Sequence, residues 1–229
     1  MKALAIDGAT NTINFLAFNG DKKALLSLDL AMKQSEKLLP SIEFVLKEVD
    51  LEAKDLEFTA VSLGPGTFTG LRLAFAALKA LSLSFQIPLY AISSLVMYAK
   101  PFLTLEGLIL PAIDAKKNRF YTSFYRNGKK IFDEMDISAK DLVKKLDPEE
   151  KIFCVGPDAK MLSDALLAEN AALNIQYLSI HVSAASFYLL EMAEELYKAK
   201  SPPLMDWEGP FYLRASEAEE NKAGLKKEL

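Results

Sequence analysis

An internal repeat constrains this chain more than any other feature of its sequence. Residues Ala5 to Gly20 align without gaps on Ala112 to Asn127. Each copy reads as a short apolar strand ending in Ala-Ile-Asp, a polar turn, and a second strand of β-branched and aromatic residues. A third extended run comes after a further turn in both copies: Lys23 to Leu30 after Asn19-Gly20, and Lys130 to Met135 after Asn127-Gly128. Each half is therefore expected to open with a three-stranded meander.

The segments after the two meanders also match in order. Leu38, Leu39, Ile42, Val45, Leu46 and Val49 recur at helical spacing after Ser35, with Pro40 in or near the first turn. Ser138 to Leu146 holds the equivalent place in the second half. Strands ending in Gly-Pro come next, Phe58 to Pro65 and Lys151 to Pro157, and a helix succeeds each. The expectation is an α/β protein of two β-β-β-α-β-α halves, cut near Leu105 into 1–104 and 105–214. The charged tail 215–229 is expected to be frayed or disordered. With 229 residues, 51% of them hydrophobic and 25% charged, the chain can bury a core and falls outside the collagen-like, low-complexity and disordered classes.

This order of elements resembles the actin, sugar-kinase and heat-shock ATPase superfamily, and the resemblance implies a duplicated actin-like, ribonuclease H-like fold. There each opening hairpin presents an Asp and small residues to nucleotide phosphates. The first turn, with Asp7, Thr10 and Thr12, is similar to such a loop. The second, Asp114-Ala115-Lys116-Lys117-Asn118-Arg119, lacks the glycines that let backbone N–H groups approach a phosphate. Asp7 and Asp114 therefore have two readings: a phosphate or Mg²⁺-water ligand, and a turn aspartate capping its own hairpin.

The most distinctive segment is Gly64-Pro65-Gly66-Thr67-Phe68-Thr69-Gly70-Leu71-Arg72, between an apolar strand and a long helix. Gly64 and Gly66, with Thr67, allow a tight turn whose amides can point outward toward an anion. It is not a P-loop, because the lysine and hydroxyl that close one are absent. The plainer reading is a strand-to-helix turn with Thr67 or Thr69 as N-cap. Phe68 and Arg72 serve no capping purpose and point to a role in binding. The helix from about Gly70 to Phe85 has two apolar stripes: Leu71, Phe75, Leu78 and Phe85, and Leu73, Ala76, Ala77, Ala80 and Leu83. A surface helix needs one, so the second implies either a helix sandwiched within the chain or, as the favoured reading, a partner. The predicted partner face is Leu71, Phe75 and Leu78, with Leu38 and Ile42 of the preceding helix and with Phe68, Arg72 and Lys79. Phe75→Asp is expected to break pairing and leave the fold intact.

Other chemistry is narrowed by what the chain holds. A net charge of -4 argues against a free-standing nucleic-acid binder. His181 is the one histidine, so no His pair can ligate a metal, and a Cys-His nucleophilic pair would have to be Cys154 with His181. Core packing is the better account of both. One cysteine forms no internal disulfide, which fits a reducing compartment. The N-terminus lacks a signal-peptide core, and the apolar stretch Leu71 to Leu83, broken by Arg72 and Lys79, falls short of a bilayer span. A soluble, cytoplasmic protein with no membrane contact is expected.

Several segments carry a closer resemblance: Leu4-Ala5-Ile6-Asp7, Gln34 to Pro40, Gly64 to Arg72, Ala112 to Lys116, and Pro210-Phe211-Tyr212-Leu213-Arg214. Together they are similar to the TsaB (YeaZ) family of bacterial tRNA threonylcarbamoyladenosine biosynthesis proteins. The sequence departs from that family at Gln34, usually His, and at Lys116 and Asn118. The resemblance implies a non-catalytic subunit that pairs through its N-terminal helices with a TsaD-like paralogue and recruits a TsaE-like ATPase. It implies a homodimer when the chain is alone, and tRNA reached only through the complex. Cofactors of its own are expected to be none, with ATP or ADP and metal on the partners. The alternative is a small actin-fold kinase or ATPase acting alone. A peptidase is disfavoured, since His181 has no serine elbow or metal partner.

Overall fold

The computed structural model describes residues 1–29 and 34–214. The expectation made for the tail 215–229 lies outside these residues. The first half contains β1 (Lys2–Asp7), β2 (Thr12–Asn19), β3 (Lys22–Asp29), α1 (Gln34–Glu48), β4 (Phe58–Gly64), α2 (Phe68–Phe85), β5 (Leu89–Ser93) and α3 (Ser94–Ala99). The second contains β6 (Leu108–Pro111), β7 (Ile113–Asp114), β8 (Arg119–Arg126), β9 (Lys129–Ser138), α4 (Ala139–Leu142), β10 (Ile152–Gly156), α5 (Ala159–Glu169), β11 (Ile175–Ser179) and α6 (Val182–Lys198). The first sheet has the order β3-β2-β1-β4-β5, antiparallel through its hairpins and parallel across β1, β4 and β5. The second has the same plan as β11-β10-β6-β8-β7, with β9 paired to β8. This is the duplicated actin-like arrangement.

Each half carries one strand and one helix at its C-terminal end beyond the β-β-β-α-β-α expected, and the second half also has the two-residue strand β7. The additions are β5 with α3 and β11 with α6. Both strands are five-residue edge strands, and β11 is only partly buried, so neither leaves much of an apolar run to read. Helix α1 begins at Gln34, which puts Pro40 inside the helix rather than in its first turn. Central strand β1 is buried over Ala3 to Asp7 because helices cover both faces of the sheet, whereas edge strand β3 alternates between exposed and half-buried.

The strands sort on either side of residue 105; the helices do not. One face of the first sheet packs Leu4, Ile6 and Phe15 against Val45 of α1 and Phe75 and Leu78 of α2. On the other face Ala3, Ala5, Leu16, Phe58 and Ala60 meet Leu189, Leu190 and Ala193 of α6, a helix of the second half. In return α3 packs on β6, β8 and β10 of the second sheet. Helix α2 also proves longer than the apolar stretch suggested. At 18 residues and a mean hydropathy of 1.3 it is long and apolar enough to cross a bilayer. Its inner residues Ala74, Phe75, Ala77 and Leu78 instead line the first core.

Candidate functional site

The Asp7 turn and the glycine loop lie against each other, backbone to backbone. A Cβ on Gly8 would collide with the Gly70 carbonyl, one on Gly70 with the Gly8 carbonyl, and one on Gly66 with Ala9. The amides of these loops are already bonded. Thr67 N donates to Ala9 O at 2.8 Å, Gly8 N to Ser62 Oγ at 3.0 Å, and Ala9 N to Asp7 Oδ1 at 3.0 Å. Thr67 takes the N-cap position of α2 without a side-chain cap bond; its hydroxyl is placed between the carbonyls of Gly8 and Thr10, at 3.0 and 3.1 Å. Thr10 Oγ1 donates to Thr12 O. The glycines thus permit close loop contact, and as folded these three amides are not offered to a phosphate.

Asp7 is fully buried, and burial lifts its carboxyl above the ordinary carboxylate range, opposed by hydrogen bonds from Ala9, Ser62, Tyr98 and Asn14. Tyr98, also fully buried, donates to Asp7 Oδ2 at 3.5 Å. Burial, and then the Asp7 and Asp158 carboxylates, raise its phenol. Asp158 is raised by burial while accepting the Asp114 amide at 2.7 Å. Tyr98 is thus held between the turn of the first half and the β10–α5 turn of the second. Asp114 folds back on its own turn, accepting Lys116 N at 2.8 Å and Lys116 Nζ at 2.7 Å. In that turn Lys116, Lys117 and Asn118 all have positive φ, at 61°, 54° and 56°. Three left-handed residues in a row close it one residue tighter than its counterpart: Asp114 pairs with Phe120, while Asp7 pairs with Asn14.

The predicted partner face does not lie on the surface. Leu38, Ile42, Phe75 and Leu78 are buried in the first core, and Leu71 is buried beside Gly64. The sequence shows two stripes on α2 and not which one meets the sheet: Leu71, Phe75 and Leu78 of the bulkier stripe face inward with Ala77 of the other, while Phe85 is 45% exposed. Phe75→Asp would therefore unfold the chain rather than uncouple it. Phe68, Arg72 and Lys79 bind the chain's own C-terminal segment. The Arg72 guanidinium lies 3.8 Å from the Phe68 ring centroid and donates from Nε to Tyr212 Oη at 3.3 Å, and the Phe68 and Tyr212 centroids are 5.0 Å apart. Lys79 Nζ donates to the carbonyls of Asp206 and Glu208. Phe211 N bonds Leu63 O, and Gly64, at φ 109°, leaves no room for a Cβ beside the Phe211 carbonyl. Two separately conspicuous segments, Gly64 to Arg72 and Pro210 to Arg214, are thus one contact. The available hint was an aromatic and an arginine in each.

Part of the exposed apolar surface lies on the other stripe. Ala76, Ala80 and Leu83 of α2 are exposed, Leu83 by 59%, and on neighbouring α1 Leu39 is 64% and Phe44 51% exposed. Cys154 is buried in β10, and burial pushes its thiol up to about 12. His181 corrects its core assignment: it is exposed and caps α6, its Nδ1 accepting Ser183 N at 3.3 Å. Among the described residues no cluster of three His, Cys, Asp or Glu side chains could hold a metal.

A family model for TsaD, tRNA N6-adenosine threonylcarbamoyltransferase, matches residues 29–205. The chain belongs to this family, on its TsaB (YeaZ) branch. It is 26% identical over 231 residues to a tRNA threonylcarbamoyladenosine biosynthesis protein TsaB of Bacillus subtilis, covering 96% of each. It is 28% identical to TsaB of Escherichia coli over 129 residues, 55% of each. Of solved structures, YeaZ from Pseudomonas aeruginosa superposes with a TM-score of 0.65 at 18% identity, over 89% of this chain and 99% of that one. A P. aeruginosa protein described as uncharacterized, with similarity to peptidase YeaZ, gives 0.72 at 20% identity over 93% and 99%. These likenesses show the shared fold.

Proposed function

We propose that the chain is a non-catalytic subunit in tRNA N6-threonylcarbamoyladenosine synthesis, pairing with a TsaD-like paralogue through the outer face of α1 and α2. Membership of the TsaB family supports the pathway, since named relatives are tRNA threonylcarbamoyladenosine biosynthesis proteins. The observation that carries the subunit role is the exposed stripe of Ala76, Ala80 and Leu83 beside Leu39 and Phe44. Small residues at the middle of that face let a second helix approach closely, and the leucines and Phe44 supply apolar area. In this reading the same face forms a homodimer when the chain is alone. The paralogue holds metal and nucleotide, a TsaE-like ATPase joins the pair, tRNA is met only in the assembly, and the whole works in the cytoplasm. The packed Asp7 turn and glycine loop support a subunit without a nucleotide of its own.

Light scattering on a sizing column tests this, with the chain alone and mixed with the TsaD-like protein of the same organism. The expected result is a self-pair that gives way to a mixed pair. Leu83→Asp should abolish both while leaving the circular dichroism unchanged, because an uncompensated charge at a packed interface costs several kcal/mol. An unchanged elution mass for Leu83→Asp at micromolar concentration would remove this face from the proposal. Nucleotide turnover by the purified chain alone would favour the kinase or ATPase alternative.

A further inference from the structure

The segment after α6 is fastened in turn to β5, α2 and the end of β4 in the first half, and then to the second half itself. Leu204 N donates to Leu89 O of edge strand β5 at 2.7 Å, and Lys79 of α2 holds the turn at Asp206 to Glu208. Phe211 bonds the end of β4, and Tyr212 packs on Phe68 and Arg72 in the first turn of α2. Two residues later Arg214 crosses to the second half. Its Nε donates to Asp136 Oδ2 at 2.8 Å and its Nη1 to the Ala115 carbonyl at 3.1 Å. Asp136 is held from the other side by Arg119 Nε at 2.6 Å. Ala115 and Arg119 flank the left-handed turn 116–118, so Arg214 binds that turn at its base.

We propose that this segment is a clasp through which the Asp114 turn of the second half positions the first turn of α2, with Tyr212 and Arg214 as positioning residues. The inference rests on the pairing reading above for its consequence, since α2 carries the exposed stripe. The first turn of α2 is gripped on one side by the Asp7 turn, through Gly8 and Gly70, and on the other by Tyr212. Backbone contact with glycine leaves the first grip little freedom. The second ends in the mostly buried Arg214–Asp136 ion pair, whose release breaks the contacts of Nε and Nη2 with Asp136 Oδ2 and the hydrogen bond of Nη1 to the Ala115 carbonyl. Displacement of the 115–119 turn, by a partner or by tRNA in the assembly, therefore reaches α2 through two residues of chain.

Hydrogen exchange read on residues 66–72, together with the pairing constant, tests the clasp in the full chain. Arg214→Ala should speed exchange in 66–72 roughly tenfold while β1 and α1 stay protected, and should weaken pairing roughly fivefold. Arg214→Lys should restore part of both, and Tyr212→Phe, which keeps the stacking and loses the Arg72 bond, should fall between. Should Arg214→Ala fail to fold, Asp136→Asn reaches the same contact from the other side. Unchanged exchange in 66–72 in both variants overturns the proposal. The exchange result does not depend on which surface pairs, so normal pairing by Leu83→Asp would sink the interface reading alone.

Discussion

The Asp7 and Asp114 turns hold equivalent places in a repeated sequence and are stabilised by different physics. The first has glycines, and it uses them to press its backbone onto a second loop, with its carboxylate fully buried and its amides bonded within the chain. The second lacks glycines and meets the β10–α5 turn through the Asp158 carboxylate, its own carboxylate tied to Lys116 and its base to Arg214, through backbone angles that glycine would adopt more easily. Glycines ahead of a helix therefore do not by themselves make an anion site. They permit close approach, and what approaches here is the chain's own backbone.

The contrast is open to attack from either side. The largest effect is expected at the packed turn: Gly70→Ala drives a Cβ into the Gly8 carbonyl and should cost about 3 kcal/mol or more in urea denaturation. A loss below about 1 kcal/mol would mean that the two loops can part cheaply. A second, smaller effect lies in pH. Burial raises the Asp7 carboxyl, so the folded state binds its proton more tightly than the unfolded chain. The stability this supplies is complete below the unfolded value, about 4, and is lost as pH rises through the folded one. Asp7→Asn removes the dependence, so denaturation midpoints of variant and parent should diverge in the variant's favour as pH rises above about 4. Asp158, raised in the same direction, leaves a residual slope in both proteins. A constant gap would show that the hydrogen bonds to Asp7 offset its burial. The smallest effect belongs to the other turn, where Lys117→Gly relieves a left-handed residue and should stabilise by up to about 1 kcal/mol, read as a thermal midpoint raised by a few degrees. Destabilisation there would mean that the Lys117 side chain contributes more than its backbone costs.

Much of this fold is local and therefore legible in the sequence. Alternation and turn residues mark β1, β2, β3, β8 and β9, and the Gly-Pro ends of β4 and β10 lie where the repeat puts them. The edge strands β5 and β11 are too short to stand out. What the sequence hides is tertiary: which stripe of α2 faces the sheet, and that Phe68, Arg72 and Lys79 meet a segment more than 120 residues away. The histidine misled for a related reason, since Leu178 and Ser179 before it lie on an edge strand and its start of α6 is exposed. Asp7 was legible as a turn aspartate, since its bond to Ala9 N is made two residues along the chain, whereas its contact with Tyr98 spans 91.

The crossing of α6 onto the first sheet has a consequence for how the chain is made. When Ser93 leaves the ribosome the first sheet is complete in strands, yet Ala3, Ala5, Leu16, Phe58 and Ala60 on one face still lack their cover. Leu189, Leu190 and Ala193 emerge a hundred residues later, roughly 5–20 seconds at ordinary synthesis rates. For that interval the nascent first half carries an open apolar face, and it is closed only when α6 of the second half has been translated. Two look-alike halves therefore form one unit of birth: neither is finished before the other.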